Sequence, residues 1–506
     1  MVTVDGSNGS GKLRMQRNSL AMHRHGRSAQ RLGSLCRSGA LSLMVVLMLG
    51  GCTVGPKYVR PTAEVPSNYK ETPQNFKQAQ PSDQIAKGKW WEIYNDPQLN
   101  TLEEQIAVSN QTLKAAQSQY LEARAAVRIA RSEFFPAVTG GISATQNHQS
   151  SNRTNASSNT NYQDYVLPAD VSYQPDLWGR VRRLVEASRS EAQASAADLA
   201  NVNLSLHAEL AMDYFELRGL DAEKQLLDST VSSYVKALDL TQSRYQGGVA
   251  TAVDVAQAKT QLETTRAASI DVEVSRAAFE HAIAVLVGRP ASTFSLAPLP
   301  LNTPPPPMPP GVPSDLLQRR PDIAAAERSV EAANAQIGVA KAAYYPNVTL
   351  SAAGGFESGV LGTFIQGPSG FWSLAGSAAE LIFDGGQRRG VTEQVKDAYD
   401  ISVDNYRQTV LTAFQEVEDN LSALRFLQDE ATTESSAVEA AQRSLDLSTT
   451  RYKGGVTNYL EVTTAQSAAL SDEVTALNIL IRRMSASVRL IEAIGGGWDV
   501  SQIPPI

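Results

Sequence analysis

The chain has 506 residues, a formal net charge of −7, 19% charged residues and only 7% aromatics. Its acidic balance is a poor match for nucleic acid, and its two cysteines, Cys36 and Cys52, supply neither a disulfide framework nor a four-ligand metal site. The histidines His23, His25, His148, His207 and His281 have no metal-ligand spacing, and no Ser/His/Asp arrangement or phosphate loop is present, so no catalytic residue, metal or cofactor is expected.

Residues 1–51 read as a signal peptide. Basic residues from Lys12 to Arg37 precede the apolar run ALSLMVVLMLGG (40–51). At about 12 residues the run has the length of a signal core and is too short to span a bilayer comfortably. A start at Met15 or Met22 would shorten the basic region. The run ends LGGC, which resembles a bacterial lipobox. That resemblance implies cleavage before Cys52 and an N-acyl diglyceride and palmitate on its thiol and new N-terminus. The plainer alternative is a buried cysteine after a signal anchor. Thr53, rather than an Asp, follows the cysteine and is compatible with export to the outer membrane. Removal of residues 1–51 takes the net charge to −13. No later stretch holds 18 uninterrupted apolar residues, which leaves a closed β-barrel as the only means of crossing a membrane.

After an N-terminal segment, 52–100, comes a first repeat, 101–296. An Ala-rich helix is expected at about 101–133, ended by Phe134-Phe135-Pro136 because proline disfavours helix in the residue before it. Two strand-like stretches follow, FPAVTGGISATQ and YVLPADVSYQPDL, which alternate polar or small residues with apolar ones. The Asn/Ser-rich stretch between them has nothing to bury. A very long helix is expected at about 179–245. Steps of four and three from Leu206 meet Leu210, Asp213, Leu217, Leu220, Lys224, Leu227, Val231, Tyr234, Leu238, Thr241 and Tyr245, a coiled-coil seam. RYQGGV closes it, with the glycines leaving the helix, and a second helix begins at TAVDVAQ.

The connector 297–314 is too proline-rich for helix or central strand. The second repeat, 315–497, then follows the same order: helix to about 343, Tyr344-Tyr345-Pro346, strands YPNVTLSAAGGFES and FWSLAGSAAELIF, a long helix at 386–452, RYKGGV, and a last helix. GGGW near its end follows a helix rather than opening one, so a helix C-cap is expected there rather than a phosphate loop. A tail, 498–506, ends the chain.

Two repeats give four barrel strands per chain, whereas single-chain barrels begin at about eight. Copies must therefore share a sheet, or its edges stay open in lipid. Two copies would close about eight strands around a filled interior and three about twelve around water, and transport favours three.

Several stretches together resemble the outer-membrane factor family of TolC-like lipoproteins: CTVGPKYVRP after the lipobox, WWEIYNDPQLNTL (90–102), the two RY-x-GGV tips and AIGGGW (493–498). The resemblance covers essentially the whole mature chain. It implies an α+β membrane protein: a homotrimeric 12-stranded β-barrel in outer-membrane lipid, continuous with a 12-helix periplasmic tunnel. An equatorial belt would hold segment 52–100, the connector and the chain ends. The implied partners are a periplasmic adaptor and an inner-membrane pump. The implied function is export of small molecules, drugs and toxic compounds among them, with the choice of substrate residing largely in the pump.

The tips are the gate candidates. Asp254 and Glu461 each lie six residues after the middle glycine of their tip, so a trimer could bring six acids together. The alternative is a solvated acid in a helix's first turn, favoured by the helix dipole. The resemblance implies constriction acids at Glu461 or one turn later, where this chain has Thr464, and a tip tyrosine at Tyr452. It also implies an arginine at Thr457 in some members, so Thr457 and Thr464 count against an Arg–Asp tip network. The expected gate is a ring led by Glu461, with Asp254 and Tyr452 linking helices. Gly247, Gly248, Val249, Gly454, Gly455 and Val456 are the expected adaptor contacts; the alternative is turns that touch nothing. A lipid-anchored adaptor without a pore would instead show one helical hairpin flanked by lipoyl-like segments. A lipid-anchored hydrolase would need a catalytic constellation.

Overall fold

The computed structural model describes residues 53–71, 88–148, 150, 161–307 and 313–506. The signal segment and Cys52 lie outside the described residues. A short turn at Trp90–Tyr94 leads into α1 (Pro97–Ser109) and α2 (Gln111–Ser132). Strands β1 (Ala137–Gly140), β2 (Ser143–His148) and β3 (Asn161–Tyr173) precede α3 (Arg180–Gln246) and α4 (Ala252–Leu286). The helical turn Leu316–Arg319 leads into α5 (Pro321–Ala342), followed by β4 (Asn347–Ser358), β5 (Gly370–Ala379), α6 (Gln387–Lys453) and α7 (Tyr459–Ala493).

Helix lengths match between the halves: α2 and α5 have 22 residues each, α3 and α6 have 67, α4 and α7 have 35. A 67-residue helix is about 100 Å long. The seam read from the sequence is real. Leu206, Leu210, Leu217, Leu227, Tyr234 and Thr241 of α3 are buried, and only Tyr245 at its end is exposed.

Two expected helices are each broken once. The helix placed at 101–133 stops at Asn110, whose side chain accepts from Leu113 N at 2.9 Å and donates to Leu286 O at 2.8 Å. An Asn at that position caps a new helix instead of continuing the old one. In the second half, Pro321 at the first position of α5 makes the equivalent break.

The sheet runs β1/β2–β3–β4–β5, all antiparallel. β1 and β2 are one strand in register: Gly140 faces Ala169 and Ser143 faces Val166. The ladder lapses between them because Pro168 has no N–H to give. Gly141 N still donates to Pro168 O at 3.2 Å. The four-strand expectation therefore holds.

Directly paired residues share a face. One face carries Val138, Leu167, Val171, Tyr173, Val348, Leu350, Phe356, Trp372 and Leu374. The other carries mostly polar residues, Thr139, Thr145, Asp164, Asp170, Ser172, Thr349, Ser351, Glu357, Ser373 and Ser377, with Val166 and Phe371 among them. Within one chain neither face is covered, and the outer edges of β1/β2 and of β5 pair with nothing among the described residues.

The core sits below the sheet, where α1, the middle of α3, the end of α4, α6 and the end of α7 meet. Buried polar groups fasten the irregular segments there. Arg218 donates to Asp221 (2.9 Å), Ala297 O (2.8 Å) and Gln98 Oε1 (2.6 Å), and Leu299 N and Leu301 N bond back to Asp221 and to Arg218 O. The proline-rich connector is thus held on α3. Arg320 ties α5 to α6 and α7 through Asp322, Glu416 and Ala493 O.

An N-terminal strap, residues 53–71, crosses the seam between the halves. Thr53 lies against Gly179, where a Cβ would come within 2.7 Å of the threonine, and Val54 N donates to Trp178 O. Arg183 and Asn334 both donate to Pro56 O. The strap ends with Lys70 N and Glu71 N on the carboxylate of Glu418 in α6.

Candidate functional site

Two helical tips close the far end of the molecule. At each, the long helix ends in a residue of ordinary helical backbone, Gly247 or Gly454, followed by a left-handed glycine, Gly248 at φ +74° or Gly455 at φ +71°. Val249 N reaches Arg244 O (2.8 Å) and Gly248 N reaches Tyr245 O (2.9 Å). Val456 and Gly455 repeat this on Arg451 O and Tyr452 O. These are Schellman turns, which satisfy the last carbonyls of a helix and need a residue without a Cβ at the left-handed position. The GGGW segment likewise caps α7, with Gly496 N on Ile491 O.

The return helices are capped by different means. Thr251 and Asp254 form a full capping box: Asp254 N donates to Thr251 Oγ1 (3.2 Å), and Asp254 Oδ2 accepts from Thr251 N (2.8 Å). The Asp254 carboxylate is thus engaged in holding its own helix start. In the second tip Asn458 is the cap, accepting from Glu461 N at 3.4 Å. The Glu461 carboxylate is therefore not used for capping. It is exposed and lies 3.9 Å from Arg451. No hydrogen bond or ion pair joins Asp254 to Glu461 among the described residues. Thr464 is exposed and bonds only to Leu460 O of its own helix.

Tyr452 is where the tips meet. It is 5% exposed, whereas its repeat counterpart Tyr245 is 50% exposed. Its ring meets Tyr459 edge-on at 5.1 Å in a small cluster with Ala258 and Val462. The Arg244 guanidinium stacks over it at 4.8 Å and donates to Lys453 O at 3.0 Å. Burial pushes the neighbouring Tyr459 hydroxyl up to about 12. Arg244 is the residue that sequence reasoning missed. Its signal was present, since an arginine precedes the tyrosine in both tips. Equal spelling nevertheless gives unequal geometry, because Arg244 crosses to the other tip while Arg451 turns to Glu461. Gly247, Gly248, Val249, Gly454, Gly455 and Val456 are all exposed at the extreme end, with Val249 and Val456 presenting bare apolar surface.

Among the described residues no group of three or more His, Cys, Asp or Glu could hold a metal, and no helix is long and apolar enough to cross a membrane.

Comparisons with known proteins bear on what such a shape is for. The family model described as outer membrane efflux protein matches residues 102–289 and 312–496. The chain is 32% identical over 475 residues to the probable efflux pump outer membrane protein SepC of Pseudomonas putida, covering 92% of this chain and 98% of that one. It is 30% identical over 470 residues to outer membrane protein OprJ of Pseudomonas aeruginosa, covering 91% and 96%. Among solved structures it is similar to the outer-membrane channel OprN, with a TM-score of 0.83 at 30% identity, covering 88% of this chain and all of that one. The open state of the MtrE outer membrane channel of Neisseria gonorrhoeae gives 0.75 at 26% identity, covering 88% and 98%.

Proposed function

The chain belongs to the outer membrane efflux protein family, is a transport component and not an enzyme, and works at the outer membrane with its helices extending into the periplasm; from that premise we propose how it assembles and gates. Three copies join their sheets edge to edge into a 12-stranded barrel, and their helices continue it as a periplasmic tunnel. The observation that carries this is the two-faced sheet with two free edges. Its apolar face suits lipid, its polar face suits a water-filled bore, and its edges need partners inside a bilayer.

The tips form the gate. Tyr452 and Arg244 hold the two tips of one copy together, and Glu461, free of capping duty, lines the constriction in a threefold ring. Tyr452 Oη and Arg244 Nε are buried at this junction without hydrogen-bond partners among the described residues. Each such group costs of the order of 1–3 kcal/mol, so an open arrangement that hydrates them recovers part of what separation loses. The Gly-Gly-Val turns meet the periplasmic adaptor, which joins an inner-membrane pump. Cys52 carries the lipid anchor, one residue before the point where the strap meets the base of the sheet. The exported compounds are small toxic molecules, in keeping with relatives such as the toluene efflux pump outer membrane protein TtgF.

Planar-bilayer conductance of the purified protein tests the reading. The wild type should open pores, with cation preference reduced by Glu461→Gln and the closed state made less frequent by Arg244→Gln, which removes the stacking and the bond to Lys453 O. A protein that never conducts sinks the channel. An unchanged cation preference in Glu461→Gln sinks the ring alone.

A further inference from the structure

Where helices meet sheet, the chain collects positive charge, part of it at helix N-termini that do not favour it. The first turn of α3 carries Arg180, Arg182 and Arg183, and that of α6 carries Arg388 and Arg389, with no acid in either. Cations at a helix N-terminus oppose the macrodipole. The last turns of α2 and α5, which reach the same level, add Arg131 and Lys341, where the helix dipole favours them, and Arg128 lies one turn earlier in α2. Acids nearby answer only part of this. Arg180 pairs with Glu133, Arg182 with Asp176 and Arg388 with Asp384, each within 3.1 Å, and Arg183 pairs with Glu186. Arg128, Arg131, Lys341 and Arg389 have no acidic partner within ion-pair distance among the described residues, and Glu380 and Glu393 are likewise unpaired at that level. In a chain of net negative charge, this level is locally positive.

The same level is lined with aromatic and apolar side chains. Phe135, Tyr344 and Tyr345 are exposed, Trp178 stacks on Tyr345 at 4.9 Å, and the Arg388 guanidinium lies over the Tyr344 ring at 5.3 Å. Leu381, Ile382 and Phe383 follow β5 and are exposed, the last two almost fully. Directly above stands the apolar face of the sheet, and Thr53 of the strap is seated at Gly179 beside it. Apolar surface, then amphipathic rings, then guanidinium and ammonium groups is the order met on leaving a bilayer: acyl chains, interface, phosphates.

We propose that Arg128, Arg131, Lys341 and Arg389 form a collar that binds the phosphates of anionic phospholipids in the periplasmic leaflet around the base of the sheet. The proposal rests on the barrel reading above. Phospholipid is the occupant because the cations lie within about two helical turns of the lipid-facing sheet, roughly 11 Å, with interfacial aromatics between. The collar gathers anionic lipid around the channel and fixes its depth at the level where the strap begins.

The test uses full-length purified protein in phosphatidylcholine bilayers, with spin-labelled phosphatidylglycerol or phosphatidylcholine as probe. The wild type should immobilise the anionic probe several-fold more than the zwitterionic one, and added salt should weaken that preference. Replacing all four cations by glutamine should lower the preference at least about fivefold, the effect of losing one phosphate-engaged cation near a membrane surface. Arg389→Gln and Lys341→Gln alone should each lower it in part, which keeps the test open should the fourfold variant fold poorly. Equal immobilisation of both probes by the wild type overturns the collar. So does a variant that keeps the preference, competition by inorganic phosphate at matched ionic strength, or a change in ion selectivity without any lipid effect, which would place the cations in the bore. Conductance measured on the same samples separates the two readings: a conducting channel without lipid preference removes only the collar, and a protein that never conducts removes the barrel beneath it.

Discussion

Asp254 and Glu461 occupy the same place in two repeats and do different work. Asp254 spends both its backbone N–H and its carboxylate on Thr251, so Asp254→Ala should cost about 1 kcal/mol in stability, read by thermal denaturation, and leave ion preference unmoved. A changed ion preference would return Asp254 to the gate. The buried pair of His207 and Glu103, 2.6 Å apart beneath Trp91, carries a second prediction. Burial pushes the Glu103 carboxyl well above its usual range and His207 down to about 4, so burial favours the uncharged form of each partner in their hydrogen bond. The unfolded chain binds a proton at His207 more readily than the fold does, so stability from this site falls as pH drops from 6.5 towards 4. His207→Gln should flatten acid destabilisation over that window by at most about 3 kcal/mol. Glu103 acts in the other direction: above pH 4.5 the unfolded chain releases a proton that the fold retains, so Glu103→Gln should raise the melting temperature at pH 8. A lowered melting temperature there would show that the carboxylate is ionised in the fold. Neither residue was legible in the sequence as a pair. They are 104 positions apart, and a lone histidine on a helix face gives no hint of its partner.

At the scale of elements the sequence was generous. The long helices, their returns and the aromatic–proline ends of α2 and α5 all followed from local chemistry: seam spacing, Gly-Gly-Val, and Pro136 and Pro346. What it concealed were the breaks at Asn110 and Pro321, the latter a first-turn proline that opens α5 and is not contained in it. Tertiary contact also chose between glycines that look alike. In α3, Gly219 sits where a Cβ would come within 2.3 Å of Ile481 Cδ1 in α7, whereas Gly248 has open space around its missing Cβ. Gly219→Val should overpack that helix crossing and cost about 1–3 kcal/mol. Gly248→Ala should cost about 1 kcal/mol through its left-handed backbone alone. Urea titration of both variants checks the order; a larger loss at Gly248 would mean that the tip turn, and not the helix crossing, limits stability.

At the scale of the whole molecule, one chain leaves both faces of its sheet uncovered and the sheet's outer edges unpaired among the described residues. A single chain leaves Leu374 75% exposed on one face of β5, and Ser373, its neighbour, points to the other. Sequence alternation foretold that contrast. It did not foretell the strap from Thr53 to Glu71, because its hold depends on main-chain groups such as Pro56 O and on glycines cut back to admit it. The two faces supply the test for assembly. Leu374 pairs with Ala352 near the middle of β4, so in the proposed barrel Leu374→Arg would place a charge at the lipid-facing centre and should destabilise it by about 2–4 kcal/mol in vesicles. Ser373→Arg puts the same charge one residue away into water and should cost little while altering conductance. Folding titrations of the two variants in phospholipid vesicles would show the difference. Equal losses would mean that the apolar face does not meet lipid, and with that the sheet's free edges would have to be covered by something other than further copies in a membrane.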